Sequence, residues 1–255
     1  MNDVDLMNAV SLMKESKYTV VFSGAGISVE SGIPPFRGPD GIWTYNDPSC
    51  LTFRYFRKEP KKSWELIRKI FYETFVTAQP NAAHKAIADL EKSGHIHSVI
   101  TQNIDDLHQK AGSRSVYEYH GTIKRLVCVE CFRMVESNSI DLTALPPICP
   151  DCSGILKPDF VFFGEFIPEE INSLCLGEAE CADVMLVIGT SGSVKPASML
   201  PFAAKRVRAS IIEVNIAPSA YTHHITDIYF QGRATDVLTT IADRITDNRQ
   251  RVLYK

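Results

Sequence analysis

The stretch "VVFSGAGISVESGIPPFRG" (residues 20–38) opens like a nucleotide-binding loop and then departs from one. Val20, Val21 and Phe22 read as a short buried strand. Gly24, Ala25 and Gly26 follow as a turn small enough to let a phosphate reach backbone amides. A dinucleotide fold of the dehydrogenase type would next run a helix into a second strand bearing an acidic residue about twenty positions on. Here Gly32, Pro34 and Pro35 intervene instead, and Phe36 and Arg37 come after them. Taken alone the glycine turn is a weak signal, because Val29 stands where the G-x-G-x-x-G pattern needs its third glycine.

Working outward, further apolar runs resemble the first: "YTVVF" (18–22), "SVIT" (98–101), "VMLVI" (184–188), "SIIEV" (210–214) and "DIYF" (227–230). Helical patterns lie between them, which predicts an α/β fold with a Rossmann-like parallel sheet covered on both faces. One predicted helix begins after Pro80 with Asn81 as N-cap, buries Ala83, Ile87 and Leu90, and stops near Ser93 and Gly94. Another, near the end of the chain, carries Val237, Leu238, Ile241 and Ile245 on one face. Two stretches break the alternation. Residues 39–79 show Trp64, Ile67, Phe71 and Phe75 at helical spacing and no convincing strand. Residues 122–156 hold two cysteine pairs in loop chemistry such as "LPPICPDCSG". The expected organisation is therefore a Rossmann-like domain (1–38, 80–121 and 157–255) with a smaller lobe made of a helical insertion (39–79) and a zinc ribbon (122–156).

The paired cysteines are Cys128 and Cys131 in "CVEC" and Cys149 and Cys152 in "CPDC", with seventeen residues between the pairs. Two C-x-x-C knuckles at that distance predict four thiolates on one structural zinc, since a redox dithiol usually occurs once. Cys50, Cys175 and Cys181 lack such spacing and read as ordinary small residues. The 255 residues carry a formal charge of −3, which argues against strong nonspecific nucleic-acid binding. In the ribbon Lys124, Arg125 and Arg133 are offset by Glu130, Glu136, Asp141 and Asp151, so no direct nucleic-acid contact is expected. No apolar run approaches the roughly 20 residues of a membrane span. A soluble, cytoplasmic protein without membrane partners is the expectation; oligomeric state stays open.

A second segment raises the weight of the first. "ITQNIDDLHQKAG" (100–112) places Gln102, Asn103 and Asp105 directly after a strand, at the carboxyl edge where open sheets bind ligands. "YHGT" then sets His120 beside a glycine. With "PDFVFFGE" (158–165), "GTSGSVKPAS" (189–198) and "EVN" (213–215), these motifs resemble the sirtuin family of NAD-dependent protein deacylases over nearly the whole chain. His84, His95, His97, His108, His223 and His224 receive no catalytic role.

The resemblance implies that the proline-stiffened segment is a mobile loop folding over the nicotinamide half of NAD. Ala25, Ile33 and Phe36 would line the nicotinamide pocket, beside the Gly24 and Gly26 turn, and Arg37 would lie near phosphates and ribose. Ser191 and Asn215 would contact the phosphates and the adenosine ribose, and Gln102 and Gly189 would complete the cofactor contacts. Asp105, with the backbone of Ile104, would hold the carboxamide. Asn103 would order a water or ribose hydroxyl. His120 would be the general base that deprotonates a ribose hydroxyl after the acyl-lysine oxygen has displaced nicotinamide, a task suited to an imidazole of ordinary pKa about 6.5. The products would be nicotinamide, free lysine and O-acyl-ADP-ribose. The acyl-lysine peptide would add as a strand between "FVFFGE" and "GTSGSV", with Val161 and Phe163 on one side of the tunnel and Val194 on the other. Two positions depart from the family pattern: Pro35 where aspartate is usual, and Lys195 where many relatives have tyrosine. Mono-ADP-ribosyl transfer, or an NAD-sensing binding module, would share parts of this set; Asn103 and His120 favour deacylation. Sirtuins that prefer acidic acyl groups carry Tyr-x-x-Arg on the insertion helix. Here those positions fall on Ile67 and Ile70, or on Arg68 and Phe71 one register later, so acetyl is the expected acyl group.

Overall fold

The computed structural model describes residues 2–75 and 77–246; Met1, Val76 and 247–255 lie outside it. Nine strands follow in chain order: β1 (Thr19–Ser23), β2 (Ser98–Thr101), β3 (Val116–Glu118), β4 (Gly121–Cys128), β5 (Met134–Glu136), β6 (Leu156–Phe160), β7 (Val184–Ile188), β8 (Ser210–Asn215) and β9 (Ile228–Gln231). Six of them make one sheet in the order β3-β2-β1-β7-β8-β9, and every pairing in it is parallel. The chain thus starts mid-sheet, builds outward through β2 and β3, and returns to build the other half. Strand order reverses between β1 and β7, and a crevice opens there beyond their carboxyl ends.

The strands are short apolar runs because both faces of the sheet are covered. Alternation sends Val21, Val99, Leu186 and Ile212 to one face, against the helices Asp3–Glu15, Ala82–Lys92 and Ala234–Thr246. Val20, Phe22, Met185 and Ile211 go to the other, against Glu169–Cys181 and Leu200–Arg206. Asn81 caps the Ala82–Lys92 helix as its sequence predicts, its side chain accepting from the amides of Ala83 and His84. Among the described residues no helix is long and apolar enough to cross a membrane.

The remaining three strands form an antiparallel sheet in the order β5-β4-β6. It shares one core with the helical turns of residues 60–75: Trp64, Ile67, Phe71 and Phe75 are buried against Leu126, Leu156 and Phe160. Two hydrogen bonds tie the pieces, Trp64 Nε1 to the Leu156 carbonyl at 2.8 Å and the Tyr72 hydroxyl to the Ile123 carbonyl at 3.0 Å. The helix Pro60–Ile67 widens into a π-helical turn over Arg68–Tyr72. Ile33, Ile104 and Leu107, which come from the crevice side, are buried in this same core.

Candidate active site

The crevice floor is set by backbone packing. The amide of Gly24 donates to the Ile188 carbonyl at 2.9 Å, and that of Gly26 to the Gly189 carbonyl at 2.8 Å. A Cβ added at Gly26 would lie 2.6 Å from Gly189 Cα, and backbone has no room to yield there. The close approach of the two strand ends therefore requires glycine before any ligand is considered. Beyond this crossing the chain makes a 3₁₀ turn over Ala25–Ser31, where a dehydrogenase would run a long helix.

Ser28 lies buried beneath that turn and organises the end of β2. Its hydroxyl donates to Asp105 Oδ2 at 2.7 Å and accepts from Asn103 Nδ2 at 3.2 Å. Asn103 Nδ2 also reaches the Gly24 carbonyl at 3.2 Å. Asp105 Oδ1 accepts from the Leu107 amide at 3.0 Å. Burial raises the Asp105 pKa above the usual carboxylate value, and these two bonds oppose the rise.

His120 follows β3. Its Nδ1 lies 3.0 Å from the Gln102 carbonyl oxygen. A carbonyl only accepts, so Nδ1 carries the proton and Nε2 is left with a lone pair. Burial lowers the His120 pKa, the Gln102 bond partly offsetting it. The other two interior histidines differ in kind. His108 and His84 are buried with ring centroids 4.9 Å apart, His108 Nε2 meeting Ser23 Oγ at 2.9 Å and His84 Nδ1 meeting Asn81 Oδ1 at 3.1 Å. They belong to the scaffold.

A cavity of about 710 Å³ fills the crevice. Gly24, Ala25, Gly26 and Gly189 line it, together with Gln102, Asn103 and His120 from beyond β2 and β3. Ser191 and Asn215 from the β7 and β8 side, and Phe36, Arg37 and Val194, complete the lining. Arg37 Nη1 donates to Ser193 Oγ at 2.8 Å, so the loop after the glycines is latched to the turn after β7. Ile33, Ile104 and Asp105 sit behind the wall, the first two in the small-lobe core. Val161 and Phe163 lie on the far side of His120, whose carbonyl accepts from the Val161 amide at 2.9 Å. Several cavity residues escape the sequence reading. Thr190 accepts from Gln102 Nε2 at 3.0 Å, and its carbonyl from Asn215 Nδ2 at 2.9 Å. Glu30 and Arg233 face each other at 3.6 Å at the rim. Thr190 stands inside "GTSGSV", where its threonine could have drawn notice; Glu30 leaves no pattern to find.

In the ribbon the ligand atoms of Cys128, Cys131, Cys149 and Cys152 all lie within 4.8 Å of one another. The two knuckles have the same backbone. Phe132 and Ser153, each following the second cysteine, are left-handed at φ 61. The Phe132 amide donates to the Cys128 carbonyl at 3.1 Å, and the Ser153 amide to that of Cys149 at 3.0 Å. Sulfur pairs at 3.4 and 3.8 Å match the roughly 3.8 Å edge of a tetrahedron with Zn–S bonds of about 2.3 Å. The donor set fits a closed structural zinc, with no position left for water.

The arrangement is that of a dinucleotide-binding crevice with a neutral imidazole in its lining. Residues 24–196 match the model of the Sir2 family, and the chain belongs to that family. It is 43% identical over 240 residues to NAD-dependent protein deacylase 2 of Pyrobaculum aerophilum, covering 94% of this chain and 95% of that one. An ADP-ribose complex of a Sir2 homologue superposes with a TM-score of 0.91 at 37% identity, covering 100% of this chain and 99% of the other. A Sir2 structure with a p53 peptide and NAD+ gives 0.86 at 32% identity, covering 93% and 97%.

Proposed function

We propose that the protein removes acyl groups, acetyl above all, from lysine side chains of proteins in an NAD-dependent reaction that releases nicotinamide and O-acyl-ADP-ribose. One observation carries the reading: His120 presents an unprotonated Nε2 to a cavity built at the sheet's switch point. Bound NAD supplies a glycosidic bond whose leaving group is a neutral amide. Asp105 and the backbone of Ile104 hold the carboxamide side of the site, and the Ser28 hydroxyl fixes the Asp105 carboxyl and the Asn103 amide together. Asn103 orients a hydroxyl or water. His120 Nε2 takes up a proton from a hydroxyl placed against it. The Gly24–Gly26 turn, Arg37, Gln102, Gly189, Ser191 and Asn215 bind the rest of the dinucleotide. Phe36 shields the reacting face from water, and Val161, Phe163 and Val194 flank the acyl-lysine.

The choice of acyl group follows from where the cations are. The half-buried Arg68 guanidinium is engaged elsewhere, meeting Glu73 Oε1 at 3.3 Å and the Leu142 carbonyl at 3.4 Å. Phe36 instead packs against an apolar core, with the rings of Trp43 at 5.6 Å and Phe71 at 6.5 Å, and Phe163 lies edge-on to Trp43 at 5.8 Å. An acyl carboxylate there would be buried unpaired, a loss of several kcal/mol, or roughly a thousandfold. Kinetics on matched acetyl, butyryl, myristoyl and succinyl peptides, with mass spectrometry of the sugar product, test this. We expect acetyl to exceed succinyl by that margin; a succinyl peptide with the highest kcat/KM overturns it.

The division of the chain at residues 39–79 and 122–156 into insertions is proposed on the two separate sheets and their cores. A cytoplasmic location is proposed on Cys50, Cys175 and Cys181, which lie outside the zinc cluster, form no disulfide and suit a reducing compartment.

A further inference from the structure

Among the described residues Lys157 is the one buried lysine, and it has a specific set of partners. Its Nζ donates to the Phe160 carbonyl at 2.7 Å and the Pro158 carbonyl at 3.1 Å, and pairs with Glu165 Oε2 at 3.1 Å. It also lies 4.2 Å from the centre of the Phe162 ring. The same Glu165 oxygen accepts from the Phe162 amide at 2.7 Å, and the Glu165 amide donates to the Phe162 carbonyl at 3.0 Å. Glu165 therefore closes the turn 162–165 on Phe162, and the ammonium ties that turn to the Pro158 and Phe160 carbonyls before it. The segment it shapes reaches the base directly, through the Val161 amide on the His120 carbonyl. The next residue, Gly121, has φ +81, and a Cβ on it would lie 2.2 Å from the Asp159 carbonyl oxygen. The segment and the His120–Gly121 peptide are thus packed as one unit.

We propose that Lys157 is a positioning residue for the acyl-peptide. By fixing Phe160 and Glu165 to one ammonium, it holds Val161–Glu165 in the shape against which the substrate main chain pairs, in register with His120. This rests on the deacylase reading. Lys157 is not among the residues that line the dinucleotide cavity, whereas Val161 and Glu165 line a second cavity with it, so its loss should be felt by the peptide and not by the nucleotide.

The test uses the zinc-loaded full chain. Lys157→Met is expected to raise KM for an acetyl-lysine peptide tenfold or more at saturating NAD, to change kcat less than threefold, and to leave the Kd of ADP-ribose within twofold. Lys157→Arg, which keeps the charge and the donors, is expected to return KM to within threefold of wild type. A peptide KM within twofold of wild type in Lys157→Met overturns the proposal, as does an equal rise in the ADP-ribose Kd. Should Lys157→Met fail to fold, Glu165→Gln decides: at least a threefold rise in peptide KM supports the clamp, and an unchanged KM overturns it. A wild-type chain that turns over no acyl-peptide overturns the deacylase reading itself, whereas an active wild type with an indifferent Lys157→Met overturns only the role of Lys157.

Discussion

His120 shows how one hydrogen bond decides where a proton sits. With Nδ1 committed to the Gln102 carbonyl, only Nε2 can act as base, and burial keeps it unprotonated to lower pH than an exposed imidazole. The acid limb of kcat/KM, where this base becomes protonated, is therefore expected below the ordinary histidine value of about 6.5. His120→Ala should lower turnover by about 10²- to 10⁴-fold while ADP-ribose still binds. Turnover like that of the wild type in this variant would remove His120 from the chemistry. The sequence singles out His120 because a glycine follows it and the motifs around it agree, and the structure sets it in the cavity lining. It does not single out Ser28. A serine two residues past a glycine turn has no distinguishing context, and its importance appears only once the end of β2 delivers Asn103 and Asp105 to either side of its hydroxyl.

The helices Ala82–Lys92 and Leu107–Ala111 meet through His84 and His108, and their junction is sensitive to acid. Burial lowers the His84 pKa to about 4 and holds His108 well below its ordinary value, the latter also repelled by His84. Between about pH 6.5 and 4 the unfolded chain binds protons at these rings that the native fold refuses. Stability is thus fully present above about 6.5 and falls as pH drops, by up to about 1.4 kcal/mol per pH unit for each such ring. Urea unfolding from pH 7 to 4.5 should show this slope, reduced in His84→Leu; parallel slopes in the two proteins would refute it. At this scale the long apolar runs are legible, each observed strand lying within one residue of its sequence run. β3 is not foreseen, because "VYE" is three half-buried residues at the sheet edge with no period to detect. The ribbon strands are masked by charge, as in the exposed Lys124–Arg125 of β4. The π turn hides for another reason: spacings of three and four place Trp64, Ile67, Phe71 and Phe75 inward whether or not the hydrogen bonds slip by a residue.

For the molecule as a whole, the zinc site bears on more than the ribbon. Cys128 and Cys149 belong to the core that buries Trp64, so removing the metal should loosen the helical insertion as well. We expect one zinc per chain, and on chelation a lower Tm with a red shift of tryptophan emission. A zinc-free chain with unchanged Tm and emission would show that the four thiolates stabilise nothing. The proposed division into one larger domain and two insertions is read from breaks in the strand–helix alternation. What periodicity could not reveal is that Ile33, Ile104 and Leu107, all from the crevice side, cross into the smaller core, since burial there depends on how the parts dock. These three residues stitch the lobes together. A rigid swing of one lobe away from the other would have to withdraw them, at about 1.5–3 kcal/mol for each fully buried side chain. The exposed Arg37–Ser193 hydrogen bond costs far less to break, so movement that admits a ligand is expected at the Pro34–Arg37 segment before it is expected between the two cores.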